Sequence, residues 1–317
     1  LKQAFLERTC HHTPGGRGRQ WGSNARVTHM ETPAADGVAD GGLAQGPARE
    51  EVVFTVLNGV ATIRLNRPSK FNGWREVDTA VVRGLLQHCE GDTSIGAAII
   101  TGTGPYFTAG ADVLSSLQLM RPSTMQQHIA KYNEGVFKMV IGFPKPLFAV
   151  VNGPAVGMGV TLSSLTDRVF ASSTATFQTP FATLGLTPEG CSSYNFPRLL
   201  GEENAKALLQ EGRKIDAATA LQFGLVHEVL EPQQLQARAQ AVAETWVRQR
   251  RVRPIIEQGL VEKLHAVNAE ESAAFGRVIG DRRFFEAQCH LAQKKGKGRE
   301  AWVWWTLARL IPLVSSL

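Results

Sequence analysis

The chain is poor in the residues that build metal centres and disulfide frameworks. Its four cysteines (Cys10, Cys89, Cys191, Cys289) are far apart, with no Cys-x-x-Cys pair. That spacing excludes a structural zinc knuckle and a disulfide scaffold, and reduced thiols are the plain reading. Eight histidines are present, but none are spaced as His-x-x-x-His or His-Glu-x-x-His, so no metal site is expected. Uncharged apolar runs stop well short of the ~20 residues that a membrane-spanning helix needs, so no transmembrane segment is expected. Acids are scarce at both ends. Residues 1–29 and 290–317 each hold five Lys/Arg and one acid, which leaves −2 of the net +6 for residues 30–289. The basic character belongs to the ends, and no nucleic-acid partner is expected for the body of the chain.

Residues 1–49 are rich in Gly, Ala, Arg and Pro and lack helical or strand periodicity. They read as a disordered or targeting segment. The Arg-bearing, acid-poor stretch 1–29 has the composition of a transit peptide, or else lies upstream of a start at Met30. Regular structure is expected from about residue 51. Two β-like runs, 52–57 and 60–65, flank Asn58-Gly59, the signature of a tight hairpin. A helix over 75–89, a buried strand over 97–101 and a helix over 123–141 follow, the last with Ser123 as N-cap. Phe143-Pro144-Lys145-Pro146 breaks that helix before a strand at 147–151. From about 191 the pattern is mainly helical, with one strand at 226–230 and long helices at 232–250 and 254–290. Strand–helix alternation giving way to helices predicts an α/β fold. The expected parts are an α/β core over 50–200, a helical region over 201–292 and a basic, aromatic tail over 293–317.

Two glycine-bearing turns each follow an apolar β-like run: Phe107-Thr108-Ala109-Gly110-Ala111-Asp112 and Asn152-Gly153-Pro154-Ala155-Val156-Gly157-Met158-Gly159. A third turn, Thr187-Pro188-Glu189-Gly190, carries a lone glutamate. Helix N-termini present unpaired N–H donors and partial positive charge, so two such turns can aim donors at one point. Donors that stabilise an oxyanion, together with one carboxylate base, suit proton transfer beside a carbonyl. The bland readings are that Pro-Glu-Gly is an ordinary turn, Gly157-Met158-Gly159 a close helix contact, and Asp112 a helix cap.

The hairpin Gly59-Val60-Ala61-Thr62-Ile63-Arg64-Leu65-Asn66-Arg67-Pro68 and the two glycine turns, in this order and spacing, resemble the crotonase (enoyl-CoA hydratase/isomerase) superfamily over about residues 51–290. Phe177-Gln178-Thr179-Pro180-Phe181, the run Leu184 to Tyr194 and Glu262 to Glu271 are similar to its peroxisomal 3,2-enoyl-CoA isomerase branch. The resemblance implies a crotonase (ClpP-like) fold, a spiral of ββα units whose C-terminal helices make a homotrimer or a dimer of trimers. It further implies that the backbone N–H groups of Ala111 and Met158 hold the thioester oxygen and that Glu189 is the single catalytic base. A bent CoA would run along Thr108, Ala109, Gly110, Ala111 and Asp112, with Lys70 or Lys263 at a phosphate. CoA arrives on the acyl-CoA substrate, so no separate cofactor is implied.

Departures from the family refine the expected reaction. The two positions that carry glutamates in hydratases hold Thr161 and Phe181, neither of which activates water. Isomerisation of 3-cis/trans-enoyl-CoA to 2-trans-enoyl-CoA is the expected activity. The alternatives are a catalytically silent acyl-CoA or protein-binding module, like the crotonase-like domain of chromodomain Y-like proteins, and a hydratase-family enzyme of other specificity. Ser315-Ser316-Leu317 is a degenerate peroxisomal signal. With the basic N-terminus, it suggests a peroxisome-like organelle or a mitochondrion.

Overall fold

The computed structural model describes residues 51–112, 121–279, 281–294 and 296–315; the expectations for 1–49 and for the last two residues lie outside them. Strands β1 (Val52–Leu57) and β2 (Val60–Leu65) pair antiparallel across Asn58 and Gly59, both at positive φ (50° and 77°). Two positive-φ residues define the hairpin turn whose twist matches that of the strands, as Asn-Gly predicts. Strands β3 (Ala97–Gly102), β4 (Leu147–Val151), β6 (Arg168–Ser172) and β9 (Glu228–Leu230) extend this sheet in parallel, in the order β1-β2-β3-β4-β6-β9. A smaller sheet joins β5 (Ala155–Val156), β7 (Thr176–Gln178) and β8 (Ile215–Asp216).

The parallel strands read as continuous apolar runs because both of their faces are covered. On β3 and β4, Ala97, Ile99, Phe148 and Val150 pack with Leu235, Ala239, Ala243 and Trp246 of a helix over Pro232–Arg248. The alternate residues Ala98, Ile100, Leu147, Ala149 and Val151 face the main core, as the two-residue strand period requires. Helix α1 (Glu76–Gly91) contributes Val82, Leu85 and Leu86 to that core, and α2 (Pro122–Ile141) contributes Val136, Phe137 and Val140.

Three expectations are corrected. Pro122, not Ser123, opens α2, with Arg121 at the cap position and no side-chain cap bond; proline is pre-set for the first helical turn, where its missing N–H costs nothing. The strand expected at 226–230 is shorter, because Val226 is turned into the core before β9 begins. The single helix expected over 254–290 is three: Pro254–Glu257, Val261–Ile279 and Arg282–Lys294. Gly259, at φ 65°, makes the first break. The tail is helical over Gly298–Ser315 and folds back on the preceding helix, where Trp304 packs edge-on against Phe284. Trp302 and Trp305 stand exposed on it.

Candidate active site

The two glycine turns lie side by side. Phe107 N donates to Pro154 O and Val156 N to Thr108 O, so the strand-like ends of the turns are zipped together. A Cβ on Gly110 would sit 2.8 Å from Val156 O and 3.8 Å from Met158 N, so only glycine permits this approach. Thr108 is fully buried, and its hydroxyl donates to Asn72 O (2.7 Å) and accepts from Gly110 N (3.1 Å).

Accounting for the backbone donors singles out two of them. Ala109 N goes to Phe71 O, Asp112 N to Trp74 O and Gly157 N to Gln178 O. The N–H groups of Ala111 and Met158 donate to no turn or loop carbonyl among the described residues. Met158 opens α3 (Met158–Ser163), where no intrahelical acceptor exists, and a Cβ on the preceding Gly157 would meet nothing within 4 Å. The helix that Asp112 was expected to cap lies outside the described residues. Lys70 is exposed, at the end of a short 3-10 turn (Pro68–Lys70). Lys70 O accepts Gly73 N, and Gly73 abuts Asp112. Lys263 instead lies over the ring of Tyr194 (5.6 Å).

Glu189 is aimed inward by two successive left-handed residues, Gly190 (φ 67°) and Cys191 (φ 61°), ahead of α5 (Ser192–Leu200). A Cβ on Gly190 would lie 2.5 Å from the ring of Phe137, so this turn is pressed onto α2. The Glu189 side chain is buried and accepts a short hydrogen bond from Asn133 Nδ2 of α2. Burial pushes its pKa up to about 7; the Asn133 bond opposes this, and the nearby charge of Glu271 adds to it. A carboxyl poised near neutrality can both take and return a proton.

Tyr132, next to Asn133 on α2, reaches the first turn through two side chains. Its hydroxyl meets Thr79 Oγ1 (2.8 Å), which accepts Trp74 Nε1 (2.6 Å), and Trp74 bridges to Ala111. Burial pushes the Tyr132 phenol up to about 12, and Glu189 is one of the charges acting on it. Thr161 and Phe181 are both buried and neutral; the Thr161 hydroxyl is turned back onto Met158 O (3.3 Å). A cavity of about 820 Å³ opens between α1 and α2 and reaches Tyr132, but Glu189, Ala111 and Met158 do not line it. Another, of about 540 Å³, is lined by Gly185 and Thr187 just before Glu189.

Asn133, Asn268, Glu271 and Ser272 escape the reading of the sequence as site residues. Ser272 Oγ donates to Asn133 Oδ1 (2.8 Å), and Asn268 Nδ2 to Glu134 O (2.9 Å). Their signal is a polar residue in an apolar helical stripe: Asn133 stands among Ile129, Val136 and Phe137, and Ser272 among Leu264, Val267 and Phe275. Among the described residues no cluster of three or more His, Cys, Asp or Glu side chains is placed to hold a metal ion. No helix among them is long and apolar enough to cross a membrane.

A strand–helix spiral with two apposed glycine turns and a helical C-terminal region defines a crotonase fold. The chain belongs to the enoyl-CoA hydratase/isomerase family, whose model matches residues 55–303. It is 40% identical over 243 residues to human enoyl-CoA delta isomerase 2, covering 73% of this chain and 61% of that protein. It is 36% identical to mouse peroxisomal enoyl-CoA delta isomerase 3, covering 73% and 75%. The chain thus spans less than two thirds of the human relative. Among solved structures, an enoyl-CoA hydratase/isomerase from Pseudoalteromonas atlantica superposes with a TM-score of 0.68 at 29% identity, over 77% of this chain and 97% of that one.

Proposed function

We propose that the protein is an enoyl-CoA isomerase that moves the double bond of 3-cis/trans-enoyl-CoA to the 2-trans position in fatty-acid β-oxidation. The observation that carries the reading is the buried carboxyl of Glu189, with its pKa raised to about 7, while neutral Thr161 and Phe181 occupy the two positions where hydratases carry glutamates. In this reading the N–H groups of Ala111 and Met158, which meet no backbone acceptor among the described residues, hold the thioester oxygen. Glu189 takes the proton from C2, the electrons pass into a dienolate, and the same carboxylic acid returns a proton at C4. The proton count balances with one group, and no water is activated. Each backbone donor contributes roughly 3–4 kcal/mol by the measure of other oxyanion holes. The bent CoA would run along Thr108, Ala109, Gly110, Ala111 and Asp112, with Lys70 at a phosphate. The delta-isomerase names of the human and mouse relatives support the reaction, and the mouse name supports a peroxisomal setting. Assembly through the C-terminal helices as a homotrimer, or a dimer of trimers, completes the proposal.

The test is turnover of a 3-enoyl-CoA by the wild type and by Glu189→Gln, with hydration of a 2-trans-enoyl-CoA measured alongside. The expected result is isomerisation that drops by about three orders of magnitude or more in the variant, with hydration near background in both. Tight binding of the CoA ester without isomerisation by the wild type would overturn the reading in favour of a silent binding module.

A further inference from the structure

The general-base reading leaves one group unexplained, a second buried carboxylate. Glu271 lies on α10 (Val261–Ile279), is 7% exposed, and has one oxygen, Oε2, with no partner among the described residues. Its other oxygen accepts Ser193 N (2.8 Å) at the start of α5, two residues past the Gly190-Cys191 reversal. The next residue, Ser272, donates its hydroxyl to Asn133 Oδ1 at 2.8 Å, in preference to Asn268 Oδ1 at 3.3 Å. A hydroxyl has one hydrogen, and the shorter contact takes it.

We propose that Glu271 and Ser272 are positioning residues for Glu189: Glu271 fixes the end of its turn and brings a second carboxyl to it, while Ser272 sets the orientation of the Asn133 amide. The inference rests on the reading of Glu189 as the base. Asn133 has two ends, and with its oxygen held by Ser272 its NH2 group must face Glu189. Flipped, it would set an amide oxygen against a carboxylate. One turn of α10 therefore controls both the chain that carries Glu189 and the one side chain among the described residues that donates to it.

The two carboxyls have unequal support. Glu271 sits at a helix N-terminus, where the Ser193 hydroxyl and the N–H groups of Ser193, Cys191 and Ser192 oppose the upward push of burial. Glu189 has a single neutral donor, and the charge of Glu271 raises it further. On this proposal Glu271 ionises first, and its charge keeps the proton on Glu189 to higher pH. The other titratable groups that face the pair, Tyr132 from α2 and Cys191 from the turn, are each pushed up to about 12 by burial and stay neutral in this range.

The experiment is the pH dependence of kcat/KM for a 3-enoyl-CoA in wild type, Glu271→Gln and Glu271→Asp. Glutamine keeps the shape and loses the charge, so the acid-side inflection is expected to fall by about one pH unit, a tenfold change in acidity. Aspartate keeps the charge and is expected to hold the inflection near that of the wild type. Ser272→Ala is expected to lower kcat about tenfold at unchanged KM, with recovery in Ser272→Thr. An unmoved inflection in Glu271→Gln, or a kcat within twofold of wild type in Ser272→Ala, overturns the proposal. Carboxyl 13C titration of the wild-type protein, assigned with Glu189→Gln, reads the order of ionisation without any turnover. Glu271 ionising below Glu189 supports the proposal, and the reverse order sinks it. A wild type that turns over no 3-enoyl-CoA would strike the isomerase reading and leave this titration to decide the charge relation alone.

Discussion

Two buried carboxyls in this molecule are treated in opposite ways. Asp167 and its partner Arg253 are both fully buried side chains, joined by Nε contacts of 3.1 and 3.0 Å. The guanidinium spends its remaining donors on Val140 O, Phe143 O and Leu165 O, and Asp167 also accepts Leu147 N at 2.7 Å. Burial pushes Asp167 up and Arg253 down, and each charge opposes the other's shift. The net direction at Asp167 is still upward; Glu189, with Asn133 as its side-chain donor and no cation among the described residues, is carried up to about 7. Desolvation alone does not make a site. A carboxyl left short of donors remains responsive to protons near neutrality, whereas one wrapped in them becomes a structural tie between the end of α2 and the start of β4.

The sharpest way to break this contrast is to remove the cation. Arg253→Met leaves Asp167 buried without its partner and three carbonyls without their donor, so a loss of about 3–5 kcal/mol is expected in chemical denaturation. If stability falls by less than about 1 kcal/mol, the tie is not structural. Glu189→Gln should act in the other direction. The folded-state pKa is raised from 4.5 to about 7, so between these values the folded protein holds a proton that the unfolded chain has released. The wild type therefore loses stability as pH rises from about 4.5 through 7, by up to about 3 kcal/mol. Glu189→Gln is expected to be more stable than wild type at pH 8 and to match it near pH 4.5. A difference that does not change with pH would show that Glu189 titrates normally.

The asymmetry also marks what the sequence made legible. Local signals carried the hairpin, the glycine turns and Glu189, because Asn58-Gly59, Gly110 and Gly190 are dictated by their own backbones. Asn133 and Ser272 are 139 residues apart and meet only because α2 and α10 pack closely. No local rule pairs a polar residue on one helix with a polar residue on another. Arg253, before Pro254, is fully buried, because its acceptors come from two separate segments, 140–143 and 165–167. The pairing of α2 with α10 can be tested at Gly276, where a Cβ would lie 2.4 Å from Gln126 O and 2.9 Å from the Ala130 Cβ. Gly276→Ala must push the helices apart, at a cost of about 1–3 kcal/mol. It should also weaken turnover beyond the loss of folded protein, since Ser272 is one turn away. Unchanged melting in Gly276→Ala would mean that the helices are free to separate at no cost.

The smallest expected effect lies farthest from both carboxyls. Lys70 is exposed and has no side-chain partner among the described residues, yet it is held near the first glycine turn because Gly73 bonds its carbonyl and packs against Asp112. An exposed lysine meeting a phosphate is a screened point-charge contact, of the order of 1 kcal/mol. Lys70→Met should therefore raise KM for a CoA ester about fivefold. It should leave kcat unchanged, because in the proposed pose the lysine meets only a part of the substrate that does not react. The effect should shrink as salt is raised, whereas the Glu189 and Ser272 effects, set in a dry interior, should not. A Lys70→Met variant with unchanged KM at low salt would remove this residue from the proposed CoA path, while leaving the proposed proton-transfer roles of α2, α10 and the Glu189 turn untouched.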